Sequence, residues 1–123
     1  MSIRSLILGL MLACTASAAA VAGEADVVAV EARPDGRGLW RFDVSVRHDD
    51  TGWEHFANRW DVLAPDGSIL TSRFLMHPHE TEQPFTRSVH GVAIPAGVER
   101  VTVRAHCTVH EYGGAEMTVD LPR

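Results

Sequence analysis

Lysine is absent from the 123-residue chain: all eleven basic residues are arginine, set against sixteen Asp and Glu. The resulting formal charge of −5 excludes a nucleic-acid binder that depends on a basic surface. Cysteine is scarce, with only Cys14 and Cys107. The apolar run near the N-terminus is too short to hold a permanent bilayer-spanning helix. No Ser-His-Asp arrangement has local motif support, no glycine loop is spaced to cradle phosphate, and no paired-carboxylate signature occurs. The length excludes two domains, and 46% hydrophobic against 22% charged residues excludes a mostly disordered chain. What the chain has in excess is histidine, with seven residues.

Arg4 is followed by an apolar run from Leu6 to Ala13 and a small-residue stretch from Thr15 to Ala22, the order of a secretory signal peptide. Cleavage after Ala22 is expected because Gly23-Glu24 begins polar sequence; Ala16-Ser17-Ala18 is the other pattern that fits. Met11-Leu12-Ala13-Cys14 loosely resembles a lipoprotein box, which makes a lipid anchor at Cys14 the less favoured alternative. The expectation is a leader over 1–22 and one domain over 23–123, in a periplasmic or secreted protein. Without the leader, Cys107 is the lone cysteine, so no intrachain disulfide can form even where export permits one. Such a thiol is buried, reactive or a metal ligand.

The remainder reads as all-β. Short alternating segments are separated by turn signals at the spacing of a sandwich. Trp40, Phe42, Val44 and Val46 fall on one face of a segment and Arg41, Asp43, Ser45 and Arg47 on the other. Further strands are expected over 25–32, from Phe56 to Val62, 69–76, 85–94, 101–109 and 117–121. Phe56, Asn58, Trp60 and Val62 should share a face, as should Val101, Val103, Ala105, Cys107 and Val109. Pro34-Asp35-Gly36, Pro65-Asp66-Gly67, Pro95-Ala96-Gly97 and Gly113-Gly114 supply turns, and 77–84, with two prolines, cannot be regular. The simplest closure of seven strands is an immunoglobulin-like antiparallel β-sandwich; a short, partly closed barrel is the alternative.

The histidines gather at expected strand ends and loops. His48 ends one strand and His55 opens the next, so the intervening loop can aim two imidazoles at one point. His77 and His79 flank Pro78, which stiffens the pair and lets both rings face one ion. Cys107 and His110 could share an ion only if the strand breaks near Thr108. Imidazole and thiolate together suit iron, copper or zinc far better than calcium or magnesium. The candidate metal ligands are therefore His48, His55, His77, His79, Cys107 and His110. His90 and His106 read as structural or exposed, and Cys107 taken alone reads as a small core residue. Glu80 and Glu82 read as solvated loop charges, the other possibility being support for a ligand from behind.

Two stretches occur in a suggestive order: His48-Asp49-Asp50-Thr51-Gly52-Trp53-Glu54-His55, leading to Trp60 and Pro65-Asp66-Gly67, and Val103-Arg104-Ala105-His106-Cys107-Thr108-Val109-His110. Through them, Val46 to Tyr112 resembles the iron domain of superoxide reductases, the desulfoferrodoxin and neelaredoxin family. The family fold is an immunoglobulin-like sandwich. The resemblance implies a ferrous ion with imidazole ligands at His48, His55 and His110 and an axial thiolate from Cys107, an open position for superoxide, and release of peroxide. The family has a further His ligand upstream with a nearby catalytic Lys. This chain has no His between Gly23 and Arg47 and no Lys anywhere. His48 is followed by Asp49 rather than Pro, Cys107 by Thr108 rather than Asn, and His110 by Glu111 rather than Gly. His77 or His79 is the expected substitute for the missing imidazole.

Three functions compete on this reading. The first is an exported mononuclear metal protein, with iron and superoxide chemistry and a redox partner to re-reduce it. The second is a non-catalytic copper or zinc carrier, in which Met76-His77-Pro78-His79 offers a thioether beside two imidazoles. The third is a metal-free interaction module, with Trp53, Phe56 and Phe85 as its partner surface. Oligomeric state is left open.

Overall fold

The computed structural model describes residues 23–122. The expected leader over 1–22, with the alternative anchor at Cys14, lies outside the described residues.

Alternation builds seven strands: β1 (Asp26–Pro34), β2 (Leu39–Arg47), β3 (Ala57–Leu63), β4 (Ile69–Phe74), β5 (Phe85–Ala93), β6 (Arg100–Cys107) and β7 (Met117–Asp120). They form two antiparallel sheets, ordered β1-β2-β5 and β4-β3-β6-β7. Across the sandwich β1 lies against β6 and β7, and β4 against β5. The core is the set of inward residues that alternation selects: Phe42, Val44, Val46, Trp60, Val62, Val101, Val103 and Cys107 are all essentially inaccessible to solvent. The inward apolar residues of the two sheets form one core cluster, and hydrophobic burial there supplies most of the drive to fold. The expected sandwich of seven antiparallel strands is therefore the fold.

Two expected faces are altered at their ends. A bulge between Ala57 and Arg59 shifts the β3–β6 register. Ala57 is therefore buried with Trp60 and Val62, while Asn58 is half-buried and bonds His106. Asp61 is buried as well: its carboxylate accepts bonds from Ser72 and Arg104 and from the Tyr112 hydroxyl, with Arg59 beside it. Val109 does not share the face of Cys107. The strand stops at Cys107, and Val109 is 54% exposed in the turn that follows.

Registers place one end of each sheet together. Asp26 pairs with Arg47 in one sheet and Ala57 with Cys107 in the other. The lead-in to β1, the exit from β2, the entry to β3 and the exit from β6 therefore converge at one end of the sandwich. The β1 lead-in is fastened there by Val27 N–H donating to Ala115 O (2.8 Å) and Ala115 N–H donating to Asp26 Oδ1 (2.7 Å). Gly114 is required for that approach, because a Cβ at this position would lie 1.9 Å from the Ala25 carbonyl oxygen.

Candidate metal centre

The four chain segments carry the chemistry. His48 follows the last residue of β2 and is 2% exposed. The loop after it closes on itself through Thr51 N–H to His55 O (3.0 Å) and His55 N–H to Gly52 O (3.2 Å), which returns His55 beside His48. Thr108 ties this loop to the end of β6: its N–H donates to Phe56 O (3.0 Å) and its hydroxyl to Glu54 O (3.2 Å). Cys107 is the last inward residue of β6, and its sulfur faces the same point. One ligand atom each from His48, His55 and Cys107 lies within 4.8 Å of the other two. The two imidazole Nε2 atoms are 3.2 Å apart.

His110 stands beside this trio. The turn after β6 is held by paired bonds between Cys107 and Glu111 (both 3.0 Å). It brings the His110 N–H to 3.1 Å from Cys107 Sγ and the ring Nδ1 to 3.6 Å. The break at Thr108 that joint use of Cys107 and His110 requires is thus present. The His110 N–H thus meets the sulfur that a metal would bind.

Asp50, to which the sequence assigned no role beyond a short acidic loop, organises the group. Its side chain is fully buried. Oδ1 accepts from His48 Nδ1 (2.5 Å) and from the Ala57 N–H (3.0 Å), and Oδ2 from the His79 N–H (2.6 Å). Burial works to raise its pKa, but the bonds from His48, His79 and Ala57 outweigh it and hold the carboxyl below its ordinary value. An ionised Asp50 fixes the His48 tautomer. Nδ1 donates to Asp50, and Nε2 is turned to the cluster. A carboxylate behind a ligating imidazole is a recurrent feature of metal sites. In sequence the only trace is an acid two residues after His48, which spacing alone does not separate from a solvated loop charge.

Gly23 is the other residue that sequence reasoning missed. Its carbonyl oxygen sits 3.1 Å from His48 Nε2, 3.2 Å from His55 Nε2 and 3.6 Å from Cys107 Sγ. Glycine gave no signal because its contribution is a backbone atom.

The structure does not bring His77 and His79 into the cluster. His77 is exposed, and its Nδ1 lies 3.1 Å from Pro78 O. The two rings do neighbour each other, 4.6 Å apart. His79 is buried, stacked on Phe85 at 4.1 Å, and its Nε2 lone pair is taken by Arg87 at 2.9 Å. Burial, then the Arg87 and His77 charges, lower its pKa. Its part is structural: the backbone N–H holds Asp50, and Gln83 bridges His79 O (2.9 Å) to the His48 N–H (2.9 Å). Glu82 pairs with Arg87 at 3.1 Å and is exposed, a loop charge as expected. His90 is exposed, and His106 is bonded to Asn58 Oδ1 at 2.7 Å. The surface expected from Trp53, Phe56 and Phe85 does not form: Phe56 and Phe85 are buried, and only Trp53 is exposed.

The donor set fits a borderline or soft transition ion. Two imidazoles and one cysteine sulfur converge, one ring is oriented by a carboxylate behind it, and the sulfur is removed from solvent. Among the described residues no helix is long and apolar enough to cross a membrane.

Comparison with known proteins adds to this. No family model matches the chain. A Halomicrobium mukohataei protein named "Putative lipoprotein" is 41% identical over 97 residues, 79% of this chain. The chain spans 47% of that relative's length. A crystal structure of a hypothetical protein from Pyrococcus horikoshii OT3 superposes with a TM-score of 0.53 at 15% identity, covering 84% of this chain and 96% of that one. Superoxide reductase in its oxidized state superposes with a TM-score of 0.50 at 18% identity, covering 81% of this chain and 90% of that one. At such identities the likeness is one of fold, and the chain has a superoxide reductase-like β-sandwich with a possible His/Cys metal site at one end.

Proposed function

We propose that the chain is an exported mononuclear iron protein that reduces superoxide to peroxide. The observation that carries this reading is the convergence of His48, His55 and Cys107 within 4.8 Å, with Asp50 behind His48, on a sandwich like that of superoxide reductase. His48 and His55 supply imidazole nitrogens and Cys107 the thiolate, with His110 against the sulfur. When bound, ferrous iron supplies the electron that takes superoxide, with two protons, to hydrogen peroxide. The chain's own residues orient the donors. Asp50 holds the His48 proton at Nδ1, the His110 N–H steadies the thiolate, and the 51–56 loop fixes His55. A redox partner would restore the ferrous state. Export is supported by the Arg4, apolar and small-residue order of 1–22. The name of the Halomicrobium relative is consistent with an anchored form through Cys14.

A second reading is favoured by one specific observation: the chain has no Lys and places neither His77 nor His79 at the cluster. A compact three-donor site without those groups suits zinc or copper held without turnover.

Elemental analysis of protein isolated anaerobically, with absorption spectra before and after oxidation, separates the two. Iron with a visible thiolate charge-transfer band, lost in Cys107→Ser, supports the first reading. Zinc or copper with no superoxide-dependent oxidation supports the second. A purified chain that takes up no metal under reducing or oxidising conditions refutes both.

A further inference from the structure

We propose that the Gly23 backbone carbonyl is itself a metal ligand, the fourth donor of the site in place of a fourth side chain. The inference rests on the metal-binding reading above but not on the identity of the metal.

The first argument is geometric. Tetrahedral bonds of about 2.1 Å to nitrogen or oxygen and 2.3 Å to sulfur place neighbouring donors about 3.3–3.7 Å apart. The Gly23 oxygen lies 3.1 Å from His48 Nε2, 3.2 Å from His55 Nε2 and 3.6 Å from Cys107 Sγ, and the two nitrogens are 3.2 Å apart. The oxygen–sulfur separation falls in that range and the other three just below it, and one ligand atom each of His48, His55 and Cys107 lies within 4.8 Å of the others, so the four donors gather around one point.

The second argument is orientation. Asp50 bonds His48 at Nδ1 and so turns Nε2 of the same ring toward the cluster. The Gly23 carbonyl oxygen, an electron-pair donor, meets that Nε2, the His55 Nε2 and the Cys107 sulfur at one point.

The third argument is that the backbone is built to reach this place. Gly23 has φ of +98°, a conformation side chains disfavour, and a Cβ there would lie 2.7 Å from His110 Cε1. The β1 lead-in is fastened three and four residues later, at Asp26 and Val27, by their bonds with Ala115. A carbonyl can thus serve where the sequence offers no His between Gly23 and Arg47.

The test uses the full chain loaded with Co2+ or Cu2+, with glycine labelled by 13C at its carbonyl carbon. A ligating carbonyl places that carbon about 3 Å from the ion, close enough for a resolved hyperfine coupling in pulsed EPR. The expected result is a coupling in the wild type that disappears in Gly23→Ala and persists in Gly97→Ala, a turn glycine of similarly positive φ (+103°) that strains an alanine equally but lies away from the cluster. Gly23→Ala should also weaken Co2+ binding by about tenfold or more, while thermal unfolding of the metal-free form confirms that the sandwich is intact. A Cys107-dependent cobalt–thiolate band without any coupling lost in Gly23→Ala overturns the carbonyl assignment and leaves the metal site standing. Absence of that band overturns the metal site, and the carbonyl assignment with it.

Discussion

Replacing Asp50 by Asn tests the architecture most directly, because the two side chains have the same shape. The Asp50 oxygens receive three N–H groups, from His48 Nδ1, the Ala57 backbone and the His79 backbone. An amide has one oxygen. If that oxygen stays towards His48 and Ala57, the amide NH2 opposes the His79 N–H, which now lies 2.6 Å from Oδ2. If the amide flips, the NH2 opposes Ala57. Either way one buried backbone N–H loses its acceptor, at about 1–3 kcal/mol, and the remaining bonds lose the help of a full charge. The sum is about 3 kcal/mol, a large share of the roughly 5–15 kcal/mol typical of a whole domain. For a domain near 100 residues this corresponds to a fall in Tm of about 12–24 °C. The assay is thermal and urea unfolding of the metal-free proteins at neutral pH, beside Asp66→Asn, which alters an exposed turn carboxylate bonded to Ser68. Ion affinity of Asp50→Asn should fall about 10–100-fold, since the His48 tautomer is no longer fixed. If Asp50→Asn costs no more than Asp66→Asn and leaves ion affinity unchanged, Asp50 is neither the keystone of the loop nor the orienting group of His48.

Three further outcomes are expected. His77→Ala should leave stability within about 0.5 kcal/mol and ion stoichiometry unchanged; His79→Ala should cost about 2 kcal/mol through the lost Phe85 stack and the unpaired Arg87, again without changing stoichiometry by metal analysis. Gly114→Ala should destabilise the fold by about 2 kcal/mol or more in urea unfolding and weaken ion binding as well, because its Cβ would displace the Ala25 carbonyl two residues from Gly23. Asp43 is the pH probe away from the site: burial raises its pKa, but bonds from Ser88, Arg33 and Arg41 prevail and lower it. Its folded value lies below its unfolded one, so its stabilisation is full above the unfolded value and is lost as pH falls through the folded one. Asp43→Asn should cost about 1 kcal/mol at neutral pH and show a flatter decline in stability than the wild type between about pH 5 and 2, read by urea midpoints.

The sandwich was legible because alternation is a local property. Trp40, Phe42, Val44 and Val46 face inward for the reason their spacing announces, and the Pro-Asp-Gly turns bound the strands as their chemistry requires. Failures occurred where tertiary contacts override the pattern. Asp61 reads as an outward residue of β3, yet Arg59, Arg104 and Tyr112 cover it and turn it into a buried acceptor. Of the site, His48, His55, Cys107 and the turn to His110 were legible from residue type and loop length. The His77–His79 pair lies apart from the cluster: stiff spacing says nothing about competition for a lone pair, and Arg87, eight residues on, donates to His79 Nε2. Asp50 and Gly23 were hidden for opposite reasons: an acid in an acidic loop is too common to notice, and a backbone carbonyl has no letter.

The location of the cluster follows from the same accounting that builds the sheets. Inside a sandwich every backbone N–H and C=O is committed to a ladder, and a buried imidazole or thiolate without a partner is costly. At the sheet end where Asp26 meets Arg47 and Ala57 meets Cys107, the ladders stop and backbone groups become available. Asp50 accepts two such N–H groups, from Ala57 and His79, together with His48 Nδ1, and the Gly23 oxygen faces His48, His55 and Cys107. The donors are therefore drawn from the β1 lead-in, the β2–β3 connection and the end of β6 rather than from one loop. An ion binding there would join the β1 lead-in to the ends of β2, β3 and β6, so that its binding free energy adds to the stability of the contact between the sheets. A metal site assembled this way is inseparable from the closure of the sandwich, which is why Asp50, itself no ligand, bears on the fold and on the ion at once.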